Sequence, residues 1–181
     1  QLEDPEDAKG IVKRGVTRIL SPGMVYDPET LSAQTANYVA AMDAHTVSFL
    51  EASTGECFYY PVSSASEVQS LLTMICPVEL ILTKGQKEKF DTDLSESAKN
   101  LKLLVNQSLV TVFDKIEEKN WPERFKQVPS SALRLLTYAL HMQGEQSVAT
   151  LNSFERRSLS ESMHLGENTI KHLEIFSSYR V

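Results

Sequence analysis

The feature that most restricts the fold is a change of apolar period between residues 37 and 83. Asn37-Tyr38-Val39-Ala40-Ala41-Met42 is a short apolar run, and residues 46–53 and 56–62 flank Thr54-Gly55, a pair suited to a tight hairpin turn. These three segments read as an antiparallel meander, with residues 37–42 as an inner strand. The period then switches. Ser64, with Glu67 three residues on, has the capping-box pattern, and Val68, Leu71, Leu72 and Ile75 follow at i, i+3, i+4 and i+7. Pro77 ends that helix, and residues 78–83 read as a strand buried on both faces, of the kind found inside an α/β sheet. Three strands, a helix and a buried strand predict a mixed sheet with helices packed on it.

The flanks are read with the same rules. Residues 1–9 are a polar linker, and residues 11–20, rich in β-branched side chains, form a strand that stops at the turn signal Ser21-Pro22-Gly23. Asp27-Pro28-Glu29-Thr30 is a second break. Residues 84–99 give a short helix and a loop, and residues 101–105 an edge strand. Leu109, Val112, Phe113 and Ile116 repeat the i, i+3, i+4, i+7 stripe of an amphipathic helix, with Trp121-Pro122 after it. The character changes at Pro129. Ser130 or Ser131 can cap a helix running to Gly144, apolar almost all round, which predicts burial between other helices. Residues 150–163 read as extended, and residues 167–179 as a helix with Ile170, Leu173 and Phe176 in register. No Gly, Asn or Pro ends that helix before Val181, so a truncated second domain of a larger protein is expected.

A length of 181 residues suffices for one core, or for one domain and part of a second. With 41% apolar and 23% charged residues the chain has a globular composition, and no apolar run is long enough to span a bilayer. Cys57 and Cys76 are too few for a disulfide scaffold or a zinc site and read as reduced thiols in a cytoplasmic protein. The net charge of −6 argues against broad nucleic-acid binding by this chain alone. Lys9, Lys13, Arg14 and Arg18 are the local exception. On a strand Arg14 and Arg18 share one face, either as charges protecting an edge or as possible phosphate contacts.

No catalytic motif is present. The chain lacks a G-x-S-x-G elbow, an H-E-x-x-H pair, a phosphate loop and a G-x-G-x-x-G turn, and His45, His141, His164 and His172 show no ligand spacing. A mixed sheet that opens with a meander is similar to the ribonuclease H-like architecture, whose enzymes hold two metal ions between carboxylates at strand ends. The candidates would be Asp43, Glu51 and Glu56. Glu51 and Glu56 flank the hairpin turn while Asp43 follows a different strand, so a version of the fold without metal or cofactor is expected.

Several segments, in order, resemble the MutS family of DNA mismatch-recognition ATPases. Val16-Thr17-Arg18-Ile19-Leu20-Ser21-Pro22-Gly23 resembles the strand and turn that open its connector domain. Residues 37–42, Leu50-Glu51-Ala52-Ser53-Thr54-Gly55 and Pro77-Val78-Glu79-Leu80-Ile81 match its next strand, hairpin and buried strand. Residues 136–143 resemble the first helix of the core (lever) domain, and residues 169–175 the segment where that domain continues. Met24, Glu51, Gly166 and His172 depart from the common Thr, Asp, Asp and Asn. The resemblance implies a linker over 1–9, a connector domain of ribonuclease H-like fold over 10–127, and the start of a mainly helical core domain over 128–181. It also implies that ATP and magnesium belong to the parent protein, and that mismatched DNA, a second subunit and MutL are its partners, in a cytoplasmic, nucleoid-associated setting. The rival reading is a recombination-type MutS homologue, which shares the connector but lacks mismatch binding.

Two further expectations concern sites. The outer face of the helix after Ser64 carries Ser66, Ser70 and Thr73, small residues that let a partner such as MutL approach closely. Phe49-Leu50-Glu51 matches the Phe-x-Glu wedge of mismatch readers, but alternation within the hairpin buries Phe49.

Overall fold

The computed structural model describes residues 21–24, 36–93, 108–117 and 119–159. The strand over residues 11–20 with Arg14 and Arg18, the edge strand over 101–105 and the helix over 167–179 lie outside the described residues, as do His164 and His172.

The expected meander is present. Strand β1 (Tyr38–Met42) pairs antiparallel with β2 (Thr46–Glu51), and β2 with β3 (Cys57–Pro61). Gly55 supplies the positive φ, 76°, that closes the β2–β3 turn. Helix α1 (Ala65–Ile75) follows, with the Ser64 side chain accepting from Glu67 N as the capping pattern requires. Cys76 ends it in the left-handed region and Pro77 prevents its continuation. Strand β4 (Glu79–Leu82) then enters beside β1, parallel to it, with all four residues buried. Helix α2 (Lys84–Thr92), with a complete Thr83–Gln86 capping box, leads away from it.

One expectation fails here. Leu109–Val112 is strand β5, parallel to β4, and not the start of a helix. The helical stripe would bury Leu109, Val112 and Ile116, yet they are 49, 47 and 37% exposed. A short apolar run satisfies both periods, and pairing with β4 decides between them.

A 3-10 turn (Glu123–Phe125) precedes helix α3 (Ser130–Gln143); helix α4 (Glu145–Ala149) and the short strand β6 (Glu155–Arg156) complete the described chain. The sheet order is β5-β4-β1-β2-β3-β6, and the pairings leave β2 alone running against the rest. That is the expected ribonuclease H-like mixed sheet flanked by helices.

Alternation along the strands divides the core into two layers. Ala40, Val47, Phe49, Phe58, Leu80 and Leu82 face α1, which contributes Leu71 and Leu72. Val39, Ala41, Leu50, Cys57 and Ile81 face α3, which contributes Ala132, Leu135, Leu136, Tyr138 and Ala139. The expected burial of α3 holds, but its main cover is the sheet and not other helices; Trp121, Phe125, Leu151 and Phe154 close the remaining sides. The sequence changes character at Pro129 without a break in the core.

Candidate functional site

Asp43 lies just past β1, and its carboxylate holds the start of α3. It accepts from His45 N at 2.9 Å, Thr46 N at 2.8 Å, Thr46 Oγ1 at 2.8 Å, Ser130 Oγ at 2.8 Å and Ser131 N at 3.0 Å. Neither serine caps α3 with its own side chain; the anion is brought in from the sheet. Burial would raise the Asp43 carboxyl, but the bonds from His45, Thr46, Ser130 and Ser131 outweigh it and hold the group at about 2. Ser131 also bonds Ser48 Oγ at 2.8 Å and Thr46 Oγ1 at 2.6 Å, so β2 and α3 share one hydroxyl network.

Glu51 and Glu56 sit at the other end of the same ladder, because Tyr38 pairs with Glu51 while Met42 pairs with Val47. Glu51 accepts from Ser53 Oγ at 2.6 Å, Thr54 N at 2.7 Å and Thr54 Oγ1, and so braces its own turn. Glu56 accepts from Tyr38 Oη at 2.5 Å and from Arg157 Nη2 at 2.9 Å. The bond from Tyr38, then Arg157, lowers the Glu56 carboxyl despite partial burial; burial and Glu56 push the Tyr38 phenol up to about 12. The three carboxylates do not converge, and among the described residues no group of His, Cys, Asp or Glu could hold a metal ion. The geometry therefore does not fit two-metal chemistry at these positions.

Glu79 was missed as a site by sequence reasoning. It is fully buried at the start of β4, facing α3, where Tyr138 Oη donates at 2.6 Å, Thr111 Oγ1 at 2.7 Å and Gly23 N at 3.3 Å. Burial first, and the bond to Glu79 second, raise the Tyr138 phenol. Gly23 has no room for a side chain: a Cβ would lie 2.1 Å from Val39 Cγ2. Gln143 Nε2 donates to Met24 O, so the turn Pro22–Met24 is held by β4 and α3 together. The available signal was a carboxylate inside a strand read as buried on both faces.

On α1, Ser66 and Thr73 are exposed and Ser70 is half-buried. Ser70 Oγ donates to Ser66 O at 2.9 Å and Thr73 Oγ1 to Gln69 O at 2.8 Å, while Ser66 Oγ shares a 2.9 Å bond with Ser64 Oγ. These hydroxyls are satisfied within the helix, so covering the face strands no donor. Met74, 40% exposed, lies beside them. Phe49 is buried and stacks on Phe58 at 5.3 Å, as alternation predicted. His45 and His141 are exposed, the latter against Phe113 at 5.7 Å. Cys76 is exposed; Cys57 is buried, and burial pushes its thiol up to about 12.

What these groups make is a set of braces between sheet, turn and helix, on a ribonuclease H-like frame. No protein-family model matches the chain. It is similar to the DNA mismatch repair protein MutS of Methanococcoides burtonii, 31% identical over 99% of this chain and 22% of that protein. It is also similar to MutS of Clostridium botulinum, 29% identical over 99% of this chain and 20% of the relative. Half of the chain matches MutS of Cytophaga hutchinsonii at 40% identity. By this similarity along its length the chain belongs to the MutS family. It spans about a fifth of the length of these full-coverage relatives. No helix among the described residues is long and apolar enough to cross a membrane.

Proposed function

We propose that this chain is a connecting module of a DNA mismatch-repair MutS protein, with residues 1–9 as linker, 10–127 as connector domain and 128–181 as the start of the core domain. It relays movements driven by ATP and DNA, and it carries no catalysis of its own. ATP, magnesium, mismatched DNA and a second subunit are engaged by the parent protein, in the cytoplasm at the nucleoid. The observation that carries this reading is the alignment of 99% of the chain with MutS relatives. A relay needs a body that moves as one piece. The sharing of one core by the sheet and α3 supports that, because α3 opens the second segment yet is braced to the first through Asp43 and Glu79.

The same module docks MutL through the outer face of α1, at Ser66, Ser70 and Thr73. Support comes from the internally satisfied hydroxyls and from Met74 as an apolar contact. The test is a pull-down of MutL by the full-length protein carrying Ser70→Arg and Thr73→Arg. Loss of binding with an unchanged thermal midpoint is the expected result; unaltered binding excludes this face.

A further inference from the structure

After α4 the chain crosses back over the outer edge of the meander as a strap, residues 150–157. Its two ends are held by different physics. At the first end Leu151 and Phe154 are buried in the α3-side core, with Phe154 edge-on to Phe125 at 6.3 Å. Arg124 Nη2 holds the preceding carbonyls of Val148 and Ala149 at 3.1 and 3.2 Å, and Asn152 N donates to Gly55 O at 2.9 Å. Gly55 lets the strap pass so closely: a Cβ there would lie 2.5 Å from Thr150 O.

At the second end the attachment is electrostatic. Strand β6 pairs with β3 over only two positions, Phe58 with Glu155 and Tyr59 with Arg156, and both strap side chains are exposed. Arg157 N donates to Tyr59 O at 2.9 Å. Its guanidinium lies 3.9 Å from the Phe58 ring centroid and pairs with Glu56 and Glu155, each at 2.9 Å. Glu56 is in turn held by Tyr38 Oη. Arg157 thus joins β1, β3 and β6 through one side chain, and every ion pair in that junction is partly in water.

We propose that residues 150–157 are a releasable strap, latched by Arg157 and seated by Leu151 and Phe154, whose opening from the latch through Phe154 to Leu151 uncovers the outer edge of β3 and the buried Cys57 beside it. Partly solvated ion pairs hold weakly and are screened by salt, whereas the buried apolar end is not. Opening therefore starts at Arg157 and runs back toward Leu151, as a local event below global unfolding. This inference goes beyond the connector reading and does not depend on MutL docking: it gives the sheet an edge that is covered or free according to the state of one latch.

The chain supplies its own reporters. Cys57 is buried in the same cluster as Leu151 and Phe154, while Cys76 is exposed. The experiment follows the reaction of both thiols in the full 181-residue chain with N-ethylmaleimide, an uncharged reagent, at low and high salt. Cys76 reacts fast at either salt, and about 1 M sodium chloride speeds Cys57 several-fold by screening the latch. Arg157→Gln speeds Cys57 about tenfold at low salt and removes most of the salt effect. An unchanged Cys57 rate in the variant, or an undiminished salt effect, overturns the proposal. Amide exchange on the unmodified chain tests it without any substitution. Arg157 N–H should exchange faster than Asn152 N–H, and both faster than the β2 amides; exchange of all three at one rate overturns it.

Discussion

Tyr138 Oη lies 2.6 Å from Glu79 Oε1, both residues being buried, and this contact bridges α3 to the strand at the centre of the sheet's parallel half. Removing the phenol leaves a buried carboxylate short of a donor. Tyr138→Phe should cost about 1–3 kcal/mol in urea unfolding. At about 2–4 °C per kcal/mol for a chain of this size, the thermal midpoint should fall measurably. A midpoint unchanged from that of the unmodified protein would mean that Glu79 is served by its other donors alone.

Asp43 gives the pH dependence a direction. Its carboxyl titrates at about 2 in the folded protein against an ordinary 3.8, so the folded state favours the anion. The stabilisation is present above pH 4 and is lost as the pH falls toward 2. The side chain is only partly buried, so the contribution is discounted to about 1 kcal/mol. Asp43→Asn should lower stability by that order at pH 6 and converge with the unmodified protein near pH 2. Parallel curves across the range, from urea midpoints at each pH, would sink the assignment.

Gly55 combines a φ of 76° with a close approach to Thr150 O. Gly55→Ala should therefore destabilise by more than the roughly 1 kcal/mol of an ordinary strained glycine site, because the strap must also move. Thermal melts give the loss, and faster exchange at Asn152 N–H shows where it arises.

Phe49 separates packing from DNA reading. It is fully buried, stacked on Phe58 at 5.3 Å and edge-on to Tyr60 at 6.4 Å. Phe49→Ala should cost about 3–5 kcal/mol of stability. A variant that folds with an unchanged midpoint but binds mismatched DNA less well in the parent protein would restore the wedge role.

Local patterns made part of this legible. The meander, Ser64 as the cap of α1 and the buried strand β4 all follow from features within a dozen residues of one another. Strand β5 was misread because a run as short as Leu109–Val112 carries too little period to separate a parallel strand from a helix turn. The site residues depended on distance along the chain. Asp43 reaches Ser131 across 88 residues and Tyr138 reaches Glu79 across 59, and no window on a single sequence joins such pairs. Glu79 was visible as an anomaly, a carboxylate in an apolar strand, though its partners were not. Helix α3 showed its all-round burial in its composition, while the identity of its cover was a property of the sheet.

The position of β4 beside β1 has a consequence for how the molecule assembles. Hairpin neighbours in the meander meet across short loops, but Val39 must wait for Glu79, and Asp43 for Ser131. Closing longer loops costs more entropy before any contact offsets it. The meander and α1 should therefore gain protection first in pulse-labelled exchange during refolding, β4 next and α3 last; simultaneous protection of all three would refute that order. On this schedule one side of the sheet stays wet until the chain has emerged almost to its strap. A ribosome, a chaperone or a protease would meet that open face first.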